Sequence, residues 1–204
     1  MVCEWDEYTK PTRYIDSDSH IIREIANNLA RDAGNIVDLA RKIFYYVRDG
    51  IKYSIYVDYF NRDLYRASVI IKNGYGYCVQ KAIVLTALYR AVGIPAKICF
   101  ADIINHSLPS EVYNLLKTNL FVYHGYTEIY IGDRWIKLTP AFDLGTAIKM
   151  NIDPLEFDGY NDVMLPKYNK LGRLQFTYVK YRGCYLDPPI EDIINVFKSV
   201  YKIT

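Results

Sequence analysis

Apolar residues recur at helical spacing in four stretches of the chain, at about residues 21–32, 36–49, 78–92 and 190–201. Ser17-Asp18-Ser19 is suited to cap the first stretch, and Gly34-Asn35 separates it from the second. Gly93, followed by Ile94-Pro95, supplies a stop for the third. The pattern therefore predicts four amphipathic or buried helices.

Aromatic and β-branched residues dominate two adjacent runs, residues 121–131 and 134–138. Gly132-Asp133 lies between them and favours a tight two-residue turn, so the two runs predict a β-hairpin. Weaker strand candidates occupy residues 51–56, 96–101 and 174–181. Since no repeat or linker interrupts the chain, we expect residues 1–204 to form one domain, which residues 144–204 complete.

The hairpin turn also predicts a pairing register. Ile131 would face Arg134, and continued pairing would place Glu128 opposite Lys137, Tyr126 opposite Thr139 and His124 opposite Ala141. Thr139 and Asp143 would then be diagonal neighbours of His124, within reach of its side chain. A carboxylate that holds one imidazole nitrogen fixes the tautomer for general base work, so the register nominates Asp143 as the partner of His124.

Cys78 ends the glycine-punctuated stretch Asn73-Gly74-Tyr75-Gly76-Tyr77 and begins the third predicted helix. Unpaired N–H groups at a helix N-terminus favour a thiolate, so we expect a lowered pKa and a reactive sulfur. The alternative is that Cys78 is a small buried hydrophobic residue, as free cysteines often are. The other cysteines open no helix: Cys3 is near the terminus, Cys99 in an apolar run and Cys184 in a polar segment predicted to be a loop.

The overall charge excludes some classes of partner. The chain has 25 basic and 23 acidic residues, a net charge of +2, which offers no electrostatic footprint for nucleic acid or an anionic membrane. It has neither a long apolar run nor a secretory signal at its start, so we expect a cytoplasmic protein. Four cysteines without close pairs predict reduced thiols, with neither a disulfide framework nor structural zinc.

Three segments resemble the transglutaminase-like superfamily of papain-like cysteine folds. Gly76-Tyr77-Cys78 resembles its Gly-x-Cys motif, and residues 90–97 (RAVGIPAK) resemble Arg-Ala-x-Gly-Ile-Pro-Ala-Arg. His124-Gly125-Tyr126-Thr127-Glu128-Ile129, followed by Trp135, is similar to His-x-x-x-Glu-Val with its later tryptophan. The resemblance is strong over about residues 36–143. It implies an α+β fold with N-terminal helices and the nucleophile on a central helix packed against an antiparallel sheet.

The resemblance implies that Cys78 is the nucleophile and His124 the general base. At the end of the second hairpin strand the family usually has Asp-Pro, whereas this chain has Thr139-Pro140. Asp143 is therefore our candidate for the third member, with Asp102, Thr139 or a Cys-His dyad as alternatives. We expect the substrate to be bound by Gly76, Tyr77, Gln80 and Thr139, although for Gln80 a polar helix surface is the preferred interpretation.

These features predict cysteine-dependent acyl transfer or amide hydrolysis through a thioester, on a peptide or protein amide. Arylamine acetyl transfer is a second enzymatic possibility, and an inactive module that binds a peptide or partner is the non-enzymatic one. Cys78 and His124 alone fall short of the ligand set that zinc prefers. We expect no cofactor, metal, nucleic acid or membrane partner, and the sequence leaves the oligomeric state open.

Overall fold

Helix α4 (Cys78–Ala91) lies at the centre of the protein in the computed structural model, which describes residues 5–201 except for the side chain of residue 115. Every residue from Cys78 to Arg90 is buried. Three helices pack against α4, as do strands of the main sheet: α1 (His20–Arg31), α2 (Ile36–Gly50) and α3 (Ala67–Asn73). A helix that is buried around its whole circumference requires such covering. The four helices predicted from the pattern are confirmed.

The main sheet has four antiparallel strands in the order β5-β4-β3-β6. They are β3 (Ala96–Asn105), β4 (Leu120–Ile131), β5 (Arg134–Leu138) and β6 (Phe176–Tyr185). A two-residue parallel pair, β1 (Lys52–Tyr53) with β2 (Tyr75–Gly76), fixes the chain just ahead of Cys78. The central helix packed against an antiparallel sheet confirms the predicted α+β, papain-like fold.

The remaining helices are short or lie at the chain ends. They are α5 (Ser110–Leu116), α6 (Leu144–Lys149) and α7 (Ile190–Tyr201), with 3-10 turns at Asp6–Thr9 and Arg62–Tyr65. Between residues 5 and 201, none of the helices combines the length and the apolar character needed to cross a bilayer.

Two buried cations of α4 fix the surrounding backbone. The Lys81 ammonium donates to the carbonyl oxygens of Arg48 and Ile51 at 2.8 and 2.6 Å. The Arg90 guanidinium donates to three carbonyls in segments far apart in sequence, those of Lys10, Ala96 and Leu186, at 2.8 to 2.9 Å. Because buried polar groups require hydrogen-bond partners, these contacts hold separate segments at fixed positions on the central helix.

The predicted hairpin register holds near the turn and fails beyond it. Ile131 pairs with Arg134, and Glu128 pairs with Lys137, as predicted. Pairing stops at Leu138, after which the Thr139 N–H donates to the Val163 carbonyl at 2.8 Å. The predicted pairs Tyr126 with Thr139 and His124 with Ala141 are therefore wrong, because another segment of the chain takes over the strand edge.

Cys99 and Cys184 form a disulfide, so the prediction of reduced thiols is wrong for these two residues. Cys99 lies on β3 and Cys184 on β6, directly opposite each other in the strand register. The expectation that Cys184 lies in a loop fails for the same reason, since β6 extends further than the sequence pattern indicated. The two cysteines are 85 residues apart in the sequence, and only the pairing of β3 with β6 brings them together. Cys3 lies outside the described residues.

Reduction of this disulfide is expected to destabilise the protein by about 2–4 kcal/mol, since it closes a long loop in the unfolded chain. We expect dithiothreitol to lower the urea unfolding midpoint of the wild type and to leave that of Cys184→Ser unchanged. Equal wild-type midpoints with and without reductant would contradict the prediction. Alkylation of the denatured, unreduced protein checks how many thiols are free.

Candidate active site

Hydrogen bonds fix the loop before Cys78, so that α4 begins at the cysteine. The Gln80 side chain accepts from the Tyr77 N–H at 3.3 Å and donates to the Leu64 carbonyl at 2.8 Å. The Tyr77 hydroxyl donates to the Tyr65 hydroxyl at 2.9 Å. Gly76 is needed beside them, because a Cβ there would lie 2.9 Å from the Gln80 Cβ. Together these contacts position the first turn of the helix and the thiol on it.

His124 follows a β-bulge in β4. The register against β3 shifts between Ala101 and Ile103, and Tyr123 adopts a left-handed φ of 53°. The Tyr123 N–H donates to the Asp102 carboxylate at 3.0 Å, and Arg182 binds the same carboxylate through two nitrogens, at 2.5 and 2.8 Å. A bulge re-aims the side chains that follow it, so this ion pair supports the position of His124.

Gly125 allows β4 to approach the start of α4 closely. A Cβ at this position would lie 2.8 Å from the Val79 Cα and 3.3 Å from the Cys78 carbonyl oxygen. The backbone N–H groups of Gly125, Val79 and Cys78 itself are near enough to the Cys78 sulfur to lower its pKa in part. The residue that follows the histidine is therefore in direct contact with the cysteine.

Cys78 and His124 line the same cavity, of about 230 Å³. Cys78 is 8% exposed and His124 is 3% exposed. No hydrogen bond joins the thiol to the imidazole, as far as residues 5–201 are concerned, although both face this space. The Tyr178 ring packs against the imidazole edge to face, with ring centroids 6.2 Å apart. The two residues nominated from the sequence are thus brought to one cavity wall.

The third-member candidates are all engaged elsewhere. Asp143 caps α6: it accepts from the Thr146 N–H and hydroxyl, at 3.0 and 2.7 Å, and from the Tyr53 N–H at 2.8 Å. Asp102 is bound at the bulge, and the Thr139 hydroxyl donates to the Met164 sulfur at 3.5 Å. His124 Nε2 is buried and has no hydrogen-bond partner. Within residues 5–201, Cys78 and His124 therefore form a pair without a hydrogen-bonded third residue.

Burial keeps both members of the pair neutral. It raises the pKa of the Cys78 thiol to about 11, although three backbone N–H groups lower it in part, and this is opposite to the expected direction. Burial also lowers the pKa of His124 to about 3. The N-terminal N–H groups of α4 do lower the thiol pKa, but the loss of hydration outweighs them.

The neutral pair predicts an unusual pH dependence for alkylation of Cys78 by iodoacetamide. A thiol is ionised only above its pKa, so a value of about 11 leaves about one thiolate in 10⁴ at pH 7. The rate is expected to rise about tenfold per pH unit until about pH 11. N-acetylcysteine serves as the unperturbed control, and a rate plateau between pH 5 and 7 would instead indicate a thiolate-imidazolium pair.

The family model of the transglutaminase-like superfamily matches residues 23–140, more than half of the chain. The chain belongs to the transglutaminase-like superfamily. Among curated protein sequences, none matches this chain.

Two solved structures are similar to this chain. A proposed cysteine protease from Cytophaga hutchinsonii is 16% identical with a TM-score of 0.52; the match covers 89% of this chain and 54% of the other. Red sea bream transglutaminase is also 16% identical, with a TM-score of 0.45 and coverage of 63% of this chain and 27% of the other. The chain thus spans about half the length of the first of these. At such identities the likeness concerns the fold alone.

The residues expected to bind substrate do not line the cavity that Cys78 and His124 share in this transglutaminase-like chain. Gly76, Gln80 and Thr139 are buried in structural contacts, and Tyr77 borders a separate space of about 30 Å³ on another side of Cys78. The larger cavity is lined mainly by side chains that the sequence did not nominate. They include Tyr53, Ile103, Phe121, Phe142, Leu165 and Phe176. Their apolar periodicity resembles that of core residues, so no sequence pattern distinguishes them.

Proposed function

We propose that the protein performs acyl transfer or amide hydrolysis through a thioester on Cys78. One observation carries the proposal: a free thiol on the first residue of a buried helix faces the same cavity as the histidine that the family motif places there. Nucleophilic cysteine catalysis requires such a base within reach of the thiol. Peptide or protein amides are the proposed substrates.

In the proposed reaction, the Cys78 sulfur attacks the carbonyl carbon and a new S–C bond forms. The thiol proton passes to His124, which delivers it to the amine nitrogen as the C–N bond breaks. Water or an amine then attacks the thioester and loses a proton to His124, which returns it to the departing sulfur. Hydrolysis and transfer differ only in this acceptor.

Because both members of the pair are neutral, His124 acts as the proton acceptor. With its pKa lowered to about 3, the imidazole is unprotonated at neutral pH and can accept a proton. Because the thiol pKa is raised, that transfer must accompany formation of the S–C bond. The N–H groups of Val79 and Gly125, already at the sulfur, are candidate donors to the oxyanion that forms there.

A binding module without catalytic activity is the second candidate. It is favoured by His124 Nε2, which is buried and, within residues 5–201, lacks the partner that would orient the ring and stabilise an imidazolium. In this alternative the cavity binds a ligand or partner, and the neutral cysteine is one of its apolar walls.

Acylation by p-nitrophenyl acetate distinguishes the two functions. We expect mass spectrometry of the wild type to show one acetyl group on Cys78, removable by hydroxylamine as a thioester is. His124→Ala should slow the acylation about 10²- to 10⁴-fold. Decay of the acyl-enzyme in water, compared with decay after addition of a primary amine, then separates hydrolysis from transfer.

His106→Ala is the matched control, because the His106 side chain is exposed and, among the described residues, its ring bonds to Thr177 alone. It should acylate at the wild-type rate. If Cys78 stays unmodified, or if the rate is indifferent to His124→Ala, the binding module is the better explanation.

A further inference from the structure

The cavity beside Cys78 and His124 has an apolar wall that the proposed chemistry does not itself require. No aspartate, glutamate, lysine or arginine among the described residues lines it. Its polar side chains besides the pair are few, and two of them are engaged locally. Ser54 accepts from the Tyr56 N–H at 3.1 Å, and Asn105 accepts from the Ser107 N–H at 2.9 Å.

One side of this wall is built on the rigid sheet and on packed aromatic rings. Ile103 of β3 lies directly opposite Phe121 of β4, and both line the cavity. Phe142 stacks on Phe176 of β6 with centroids 6.2 Å apart, and Tyr53 meets Phe142 edge to face at 4.7 Å. These five residues come from five separate parts of the chain, so the wall is formed by the fold.

Helical segments also contribute to the lining of the cavity. Val112 of α5 and Met150, at the end of α6, both line the cavity and are half-buried. The space is closed enough to remove an apolar group from water and open enough to admit one.

The size and chemistry of the cavity limit its occupant. Cavities of about 150 Å³ lined by aliphatic and aromatic side chains stay dry and bind benzene, and this one measures about 230 Å³. A charged group would lose its hydration here without meeting a counter-charge, whereas an apolar group gains from leaving water.

We propose that this cavity binds a bulky uncharged apolar group next to the reacting carbonyl, so that Cys78 is acylated preferentially by acyl groups with an aromatic or branched aliphatic side chain. The inference rests on the proposed thioester chemistry and adds its substrate class. Because the cavity wall includes the thiol itself, a single molecule can supply both the apolar occupant and the reacting carbonyl.

The test compares N-acetyl p-nitrophenyl esters of phenylalanine, leucine, alanine and glutamate. Each rate of Cys78 acylation is divided by the rate at which N-acetylcysteine reacts with the same ester. We expect the phenylalanine and leucine esters to exceed the alanine ester about 10- to 200-fold and the glutamate ester to fall below it. Equal corrected rates across the four esters would overturn the proposal.

Val112→Glu places a carboxylate in the cavity and is expected to abolish the preference for phenylalanine over alanine. Val196→Glu is the matched control, since Val196 is also half-buried on a helix but lines no part of this cavity. It should keep the wild-type preference. Loss of the preference in both variants, or in neither, would contradict the assignment of the cavity.

A second measurement needs no catalysis and no variant. N-acetylphenylalanine amide should protect Cys78 from iodoacetamide, and N-acetylglutamate amide should not. Acylation by p-nitrophenyl acetate without side-chain preference or protection would overturn this inference and leave the thioester chemistry standing. Protection without any acylation would overturn the acyl-group assignment together with the proposed function.

Discussion

Replacement of Cys78 by alanine is expected to abolish acylation by p-nitrophenyl acetate and any turnover that depends on it. The loss should be at least about 10⁴-fold, because removal of a nucleophile leaves only binding and oxyanion contacts. The sulfur is the one free thiol among the described residues, so no neighbour with the same chemistry replaces it in residues 5–201. Ester hydrolysis and intact-protein mass measure the effect.

The Cys78→Ala protein should nevertheless fold. Cys78 is buried, but the change removes a single sulfur atom, and the cavity beside it can take up the space. We expect the urea midpoint to change little and the phenylalanine amide still to bind. More than about a tenth of wild-type acylation in this variant would mean that another group is the nucleophile.

Gly125→Ala is expected to damage both stability and acylation. The new Cβ would lie 2.8 Å from the Val79 Cα, a backbone atom of a helix that is packed on all sides. Overpacking of this kind lowers the free energy of unfolding by about 1–3 kcal/mol. The clash is relieved only if β4 moves away from α4. Because that movement separates His124 from Cys78, we expect acylation to fall about 10²-fold or more.

Gly34→Ala provides the matched control for that variant. A Cβ at Gly34 would meet no atom within 4 Å, and the residue lies between α1 and α2, away from the site. Its urea midpoint and acylation rate should both stay near those of the wild type. If Gly125→Ala acylates normally while its midpoint falls, the close approach of β4 and α4 serves packing alone.

The helices and the hairpin turn were accessible from sequence because their determinants are local. Apolar spacing predicted α1, α2, α4 and α7, and Gly132-Asp133 fixed the register of the nearest strand pairs. The prediction that Asp143 is the partner of His124 gained no support, because it depended on extending that strand register past Leu138. There the Val163 segment binds the strand edge, and a contact across 25 residues leaves no trace in local spacing.

The pKa of the Cys78 thiol was also predicted in the wrong direction from the local sequence. The helix N-terminus does present its N–H groups to the Cys78 sulfur, as the sequence indicated. The thiol pKa is raised all the same, because the loss of hydration depends on how many neighbours from other elements surround the sulfur. Tyr53, Tyr59 and Phe121 line the spaces beside it, and none is adjacent to it in sequence.

The sequence by itself determined the family, the fold class and the two residues of the candidate pair, since these depend on short motifs and on helical or strand periodicity. The tertiary structure decided the Cys99–Cys184 disulfide, the capping role of Asp143, the unpartnered Nε2 of His124 and the apolar cavity. Each of these depends on contacts between segments far apart in the chain. Strand pairing and burial set such contacts, and neither is encoded in the spacing of neighbouring residues.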